Sequence, residues 1–340
     1  MRIAVDAMGG DYAPVEIVAG AVQAARGLPQ PTKIFLVGDE AAIRRELAKS
    51  QPVPDRIEIR HAAEVVGMDE HPALAVRRKK DSSIGRAVEM VKNGEADAVV
   101  SAGNTGAVVV SATLKLRLLD GVERPAIAMV MPTEDRPILL IDAGANTDCS
   151  PGLLAQFAVM GTVYSREILG QASPVVGLLS IGGEDIKGNE TTKEAFGLLS
   201  RSHLNFRGNV EGHDIFKGET DVVVCDGFVG NVVLKTSESA AMAIGHFLKQ
   251  EFTRNPVRML GAMLLRGAIR ATKQRMDPEM YGGAPLLGVN GACIITHGAS
   301  TAKAIYNAIG VACQSVGHRV GPLITDEIKK LGALCEVPAK

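Results

Sequence analysis

The sequence predicts an α/β fold, a mostly parallel sheet with helices on both faces. Three observations carry the prediction. Short aliphatic and β-branched runs alternate with longer stretches of helical spacing, the order that builds strand–helix–strand crossovers. The runs are apolar almost throughout, as strands buried on both faces are. The composition, 46% hydrophobic and 22% charged over 340 residues, suits a chain that buries a large core rather than a disordered one.

In chain order, the apolar run 3–6 gives a first strand, and 15–26 has helical spacing before a second run at 33–37. Residues 40–49 repeat the helical pattern, and 56–60 form the third strand. Ser82 or Ser83 caps a helix over 83–93 that Gly94 ends. A strand at 97–101 feeds a helix at 106–119. Two further runs, 127–131 and 138–142, precede a long helix at 151–169. Strands at 175–181 and 221–226 bracket a helix at 190–202, and the last strands fall at 285–289 and 292–296. No repeat, low-complexity tract or linker divides the chain, so any subdomains are interwoven.

Averages exclude several functions. Lys+Arg 37 against Asp+Glu 38 leaves a formal charge of -1, which supplies no field for nucleic acid. Asp6 interrupts the apolar run near the amino terminus, so no signal-peptide core is expected, and no apolar run reaches the roughly 18 residues of a spanning helix. Cys149, Cys225, Cys293, Cys313 and Cys335 are odd in number and widely spaced, which fits a reduced cytoplasmic protein.

Glycine is in excess, 37 residues against a usual ~7%, and it gathers where apolar runs end. The loops are DAMGGD from Asp6, SAGNTG from Ser101, DAGANT from Asp142, IGGE from Ile181 and DGFVGN from Asp226. Ligands of parallel α/β sheets bind at the carboxyl ends of the strands, so these loops are expected to line one edge. Glycine there lets backbone N–H groups approach a phosphate while a helix N-terminus adds positive potential; a tight turn alone also explains any single loop. No G-x-G spacing, Gly-Lys pair, G-x-S-x-G or H-E-x-x-H occurs, so dinucleotide, P-loop, serine hydrolase and zinc protease signatures are absent.

Lys187, Gly188 and Asn189 stand in a glycine-rich turn ahead of a helix, where Lys187 either neutralises a phosphate or developing oxyanion or is simply solvated. Asp226 and Asn231 flank Gly227 to Gly230; either orients a reactant, or Asp226 caps the following helix. Cys225 reads as core and His297 as either an acid–base group or a hydrogen-bonded structural one. From 254 to 275 there are six basic residues and no acidic one. On a single helix Arg254, Arg258, Arg266, Arg270 and Lys273 share one side, with Leu260 and Leu264 opposite and Met263 widening the apolar face. That face suits an anionic membrane, an acidic protein or a dimer partner.

The blocks IAVDAMGGDYAP, SAGNTGA, LIDAGAN, SIGGEDIKGNE, VCDGFVGNVVLK, GGAPLLGVNG and ITHG, in order between residues 3 and 298, together resemble the bacterial phosphate acyltransferases of phospholipid synthesis, a resemblance that runs from residue 3 to about residue 330. The resemblance implies transfer of a long fatty acyl group from acyl carrier protein to inorganic phosphate, with neither cofactor nor metal. It also implies a two-subdomain fold like that of isocitrate and isopropylmalate dehydrogenases, within one domain over 1–336, divided as 1–148 with 298–336 and 149–297. A homodimer bound peripherally to the inner face of the cell membrane, with the downstream glycerol-3-phosphate acyltransferase as a further partner, belongs to the same expectation. Carried onto the matching blocks, the catalytic residues are Lys187, Asn231 and Asp226, the last orienting Lys187 or Asn231. The substrate-binding residues are Gly103, Asn104, Thr105, Gly106, Gly144, Asn146, Gly188 and Asn189.

Overall fold

The computed structural model describes residues 1–335; residue 336, the last of the expected domain, lies outside the described residues. Among the described residues the strands are β1 (Arg2–Asp6), β2 (Lys33–Gly38), β3 (Ile57–His61), β4 (Ala98–Ser101), β5 (Ala126–Met131), β6 (Ile138–Ile141), β7 (Val176–Leu179), β8 (Phe206–Val210), β9 (Val222–Val224), β10 (Ala284–Leu287) and β11 (Ala292–Ile295). They form one continuous sheet in the order β3-β2-β1-β4-β11-β10-β5-β6-β9-β7-β8. Each expected strand is present, shortened or shifted by a few residues. β8 was not foreseen because Arg207 and Gly208, the latter at φ +114°, break its apolar run, a sequence that an edge strand tolerates.

The sheet contains two parallel blocks. β3, β2, β1, β4 and β11 are mutually parallel, as are β6, β9, β7 and β8. Between them the pairs β11–β10, β10–β5 and β5–β6 are all antiparallel. Three reversals leave the blocks running in opposite senses. The glycine-bearing loops therefore do not line one edge: those after β1, β4 and β11 gather at one, and those after β6, β9 and β7 at the other. Strand pairing groups β6 with the second block and β11 with the first, whereas the division 1–148 with 298–336 and 149–297 has them the other way round.

Alternating side chains bury both faces. Ile3, Val5, Ile34 and Leu36 pack under α1 (Val15–Gly27), α2 (Glu40–Ala48) and α11 (Ala302–Gly317). Ala4, Phe35, Val37 and Val99 face α3 (Pro72–Arg78), α4 (Ser83–Lys92) and α5 (Thr105–Leu116). In the second block α6 (Pro151–Glu167), α7 (Glu190–Ser200) and α12 (Val320–Cys335) cover Leu139, Ile141, Val176 and Val222, around Phe157 and Tyr164. The opposite face there, Ile138, Leu140, Val223 and Cys225, has only a small cluster over it, next to the first turns of α8 (Gly227–Phe252).

The expected single basic helix is two, α9 (Pro256–Leu264) and α10 (Arg266–Arg275), broken at Leu265 with φ -87° and ψ 5°. Asn255 starts the first by accepting from the Arg258 amide at 2.9 Å, so Arg254 lies in the preceding turn. Gly261 and Gly267 flank the break, and each weakens helix by about 1 kcal/mol relative to alanine. The uniform basic face is reduced as well: Arg254 and Arg258 pair with Glu251, and Arg275 donates to the Thr133 and Glu134 carbonyls.

Candidate active site

The second block presents three adjacent strand ends, those of β6, β9 and β7. Asp142, which follows β6 and is fully buried, organises the first. Its carboxylate accepts from the amides of Ile127 (3.0 Å), Gly144 (3.2 Å), Ala145 (3.1 Å to each oxygen) and Asn146 (2.7 Å), and from Asn146 Nδ2 (2.9 Å). Burial pushes its pKa above the ordinary carboxylate value against the pull of these donors. The loop thus folds around its own anion, and its amides are spent on Asp142 rather than offered to a ligand. Sequence reasoning quoted this loop but missed Asp142 itself; a carboxylate at a strand end followed by small residues whose amides have no strand partner was the available signal.

Asn146 is buried, with its amide group tied to the Pro125 carbonyl (2.8 Å) and to Asp142. It braces the loop rather than facing solvent. Gly144 has φ +139°, and the Asn231 side chain lies over it, 3.7 Å from where a Cβ would stand. Asn231 sits in the first turns of α8, and its side chain makes no hydrogen bond among the described residues. Asp226 caps that helix by accepting from the Val229 amide at 2.8 Å, the capping alternative of its two readings, and among the described residues is hydrogen-bonded to neither Lys187 nor Asn231. It reaches Asn231 through the helix it starts.

After β7, the loop from Ser180 to Asn189 carries Lys187. Gly182 makes room for the lysine stem: a Cβ there would lie 2.9 Å from Lys187 Cγ. The ammonium group has neither a hydrogen bond nor an ion pair among the described residues and is exposed. Gly188, at φ +110°, passes close to Ser180 and Thr192. Asn189 starts α7 by accepting from the Thr192 amide at 2.9 Å, which leaves its Nδ2 uncommitted. Ser180, which the sequence reading passed over, has a buried hydroxyl with no partner beneath this loop.

The other edge is built differently. Asp6, also buried, accepts from Ser101 Oγ at 2.7 Å, and burial raises its pKa. The glycines here serve loop-on-loop packing: a Cβ on Gly9 would meet Gly103 N at 2.7 Å, and one on Gly10 the Gly298 carbonyl at 2.9 Å. Asn104 caps α5 by accepting from the Ala107 amide (3.0 Å) and spends its Nδ2 on the carbonyls of Met68 (2.8 Å), Glu70 (3.1 Å) and Gly67 (3.4 Å). Gly106 accommodates Pro72, and Thr105 is exposed. His297 accepts the Ala299 amide at 3.1 Å. Gly103, Asn104, Thr105 and Gly106 thus belong to the first block, and Gly144, Lys187 and Asn231 to the second, although α5 beyond Gly106 shares a hydrophobic cluster with Ala143, Ala145 and Leu234.

Neither nearby thiol is poised for attack. Burial pushes Cys149 up to about 12 and raises Cys225 well above its ordinary value; a protonated thiol is a poor nucleophile.

The chain matches the family model described as fatty acid synthesis protein over residues 1–321. It is 51% identical over 331 residues to the phosphate acyltransferase of Pelotomaculum thermopropionicum, covering 97% of this chain and 96% of that one. With that of Desulfitobacterium hafniense it shares 52% identity, covering 97% of each. Among solved structures, a phosphotransacetylase from Streptococcus pyogenes matches with TM-score 0.60 at 19% identity, covering 93% of this chain and 94% of that one. The 4-hydroxythreonine-4-phosphate dehydrogenase of Klebsiella pneumoniae matches with TM-score 0.51 at 13% identity, covering 93% and 98%. These distant likenesses establish a fold shared by phosphotransacetylases and a dehydrogenase. The near relatives establish the family: this chain belongs to the bacterial phosphate acyltransferases.

Proposed function

We propose that this acyltransferase moves a long fatty acyl group from the thioester of acyl carrier protein to inorganic phosphate, giving acyl phosphate for phospholipid synthesis. The observation that carries the reading is a pair of uncommitted side-chain donors, Lys187 after β7 and Asn231 after β9, in the same block as the Asp142 loop, whose own backbone amides are occupied. A phosphate oxygen bonds the carbonyl carbon, and the carbonyl electron pair moves onto oxygen. Collapse of that intermediate breaks the C–S bond, and the departing thiolate takes up a proton to leave as carrier thiol. Phosphate is already anionic near neutral pH, so the protein's work is to hold two anions together and stabilise the oxyanion. Lys187 and Asn231 do this, and Asp226 positions Asn231 by fixing the first turn of α8.

The helical arm supports the finer reading of place and partners. Beyond Gly230, no residue of α8, and none of α9 or α10, is buried, while Phe247, Val257, Leu260, Met263 and Leu264 are all more than half exposed. Such a surface requires a cover. A second copy of the chain over distal α8, and an anionic membrane face beside Arg266, Arg270 and Lys273, supply it. Among the described residues no helix is long and apolar enough to cross a membrane, so the attachment we propose is peripheral, from the cytoplasmic side, where the downstream glycerol-3-phosphate acyltransferase would collect the product.

Lys187→Ala tests the reading. It lowers acyl-phosphate formation at least about 100-fold, the scale of one lost oxyanion donor, in a variant that keeps the wild-type melting curve. Near-normal turnover removes Lys187 from the site. A panel of palmitoyl-carrier protein against acetyl-CoA separates this donor from the short acyl-CoA used by a phosphotransacetylase.

A further inference from the structure

We propose that the basic end of α3, formed by Arg77, Arg78 and Lys80, is the surface on which an acidic acyl-carrier protein docks. The inference rests on the acyl-carrier reading above and concerns where that partner sits. All three side chains are exposed and have no ion-pair partner among the described residues. The carboxylates closest in sequence are already used: Glu70 pairs with Lys79, and Asp81 with Arg86 at 2.6 Å. Asp69 precedes the opposite end of α3, about 10 Å away by helix rise. In a chain of formal charge -1 this is a local concentration of uncompensated positive charge, and it complements an acidic face.

The patch is held rigidly. Lys79 Nζ donates to the Val65 carbonyl at 2.7 Å, Asn104 ties down three carbonyls of the segment leading into α3, and Pro72 seats on Gly106. Met68 and Leu74, 41% and 49% exposed, give the neighbouring surface an apolar centre. It also lies on the face of the sheet that carries the candidate site. Ala75 and Val76 of α3 belong to the same hydrophobic cluster as α5, Ala143, Ala145 and Leu234, the last three from the Asp142 loop and α8. The arm is the weaker candidate for an acidic protein, because Arg254, Arg258 and Arg275 are already engaged.

The experiment compares the triple charge reversal Arg77→Glu, Arg78→Glu, Lys80→Glu with the matching arm variant Arg266→Glu, Arg270→Glu, Lys273→Glu. Donors are palmitoyl-carrier protein and palmitoyl-pantetheine, which has neither protein nor phosphate. We expect the α3 variant to raise KM for the carrier at least about 10-fold, with the effect shrinking in 0.5 M salt, and to use palmitoyl-pantetheine as the wild type does. An unchanged carrier KM, a rise only in the arm variant, or equal losses with both donors would overturn the assignment. If the wild type makes acyl phosphate from neither donor, the proposed reaction fails instead. Direct binding of holo-carrier to wild type and α3 variant then decides docking, with equal affinity refuting it.

Discussion

Replacing Gly230 with alanine would connect the packing of α8 to the chemistry beside it. A Cβ at this position would lie 1.9 Å from the Asp142 carbonyl oxygen and 3.0 Å from Cys225 Sγ, whereas ordinary contact begins at 3.4 Å. The shortfall against the oxygen is therefore 3.4 − 1.9 = 1.5 Å. Neither side gives easily: the Asp142 amide is bonded to the Cys225 carbonyl at 3.0 Å, and the Gly227 amide to the Asn146 carbonyl at 2.6 Å. Overpacking typically costs ~1–3 kcal/mol, and a backbone clash of this size belongs at the upper end, about 3. Alanine returns about 1 kcal/mol of helix propensity, so the net loss is about 2 kcal/mol, roughly 30-fold in the folding constant. The first turn of α8 moves by about 1 Å, carrying Asn231 off Gly144, and a misplacement of that size costs on the order of 100-fold in turnover. Urea midpoints at constant m-value and acyl-phosphate release measure the two effects. Gly197→Ala in α7, where only the flexible end of Arg201 comes within 4 Å, is the control and gains about 0.5–1 kcal/mol. A Gly230→Ala protein with wild-type midpoint and turnover would refute the reasoning.

The buried Asp6 carboxyl gives a pH prediction. Because burial raises its folded pKa, its contribution to stability is fully present below the unfolded value of 3.8 and is lost as pH rises through the higher folded value. Asp6→Asn, isosteric with the protonated acid, should accordingly gain on the wild type as urea midpoints are compared from pH 4 to pH 7, and a constant difference would contradict this. Asn104→Ala removes a cap and three carbonyl ties and should cost about 1–3 kcal/mol; a smaller loss in the urea midpoint would mean that the side chain is free for a ligand after all. Leu260→Glu with Leu264→Glu should weaken sedimentation with anionic vesicles while leaving soluble turnover intact, and unchanged sedimentation would assign the arm to protein contact.

What was legible in the sequence follows from which interactions are local. Continuous apolar runs mark central strands, so β1, β2, β4 and β6 were readable, as were caps that depend on one residue, such as Ser82 accepting from the Gly85 amide and Asp226 from that of Val229. Strand direction is not local. The three reversals around β10 and β5 turn one expected edge into two, and no residue in either hairpin announces the sense of its neighbour across the sheet. Arg207 and Gly208 hid β8 for the opposite reason: an edge strand needs only one good partner and carries a weak pattern. The break at Leu265 was hidden by a helical periodicity that runs on across it, since the side-chain pattern persists when the backbone turns.

The two buried aspartates change what the glycine excess means for phosphate. Asp6 and Asp142 each follow a strand, and each accepts from donors in its own strand-end loop or an adjoining one. A loop of successive amides is an anion-binding shape, and after β6 the anion is supplied by the chain itself. Many glycines in these loops are required because backbone meets backbone, as at Gly9, Gly227 and Gly230, rather than because a ligand enters. A rigid, self-neutralised loop has its own use: it fixes side chains beside it without competing for the substrate. Phosphate recognition then falls to groups that the fold leaves uncommitted, and among the carried-over catalytic residues those are Lys187 and Asn231. If phosphate instead bound the amides of Gly144 to Asn146, it would have to displace the Asp142 carboxylate, and wild-type affinity would collapse as burial of that displaced charge opposed it. Phosphate titrations of Asp142→Asn and Asn231→Ala therefore discriminate. We expect Asn231→Ala to weaken binding, whereas tighter binding by Asp142→Asn with no effect of Asn231→Ala would move the phosphate into the loop.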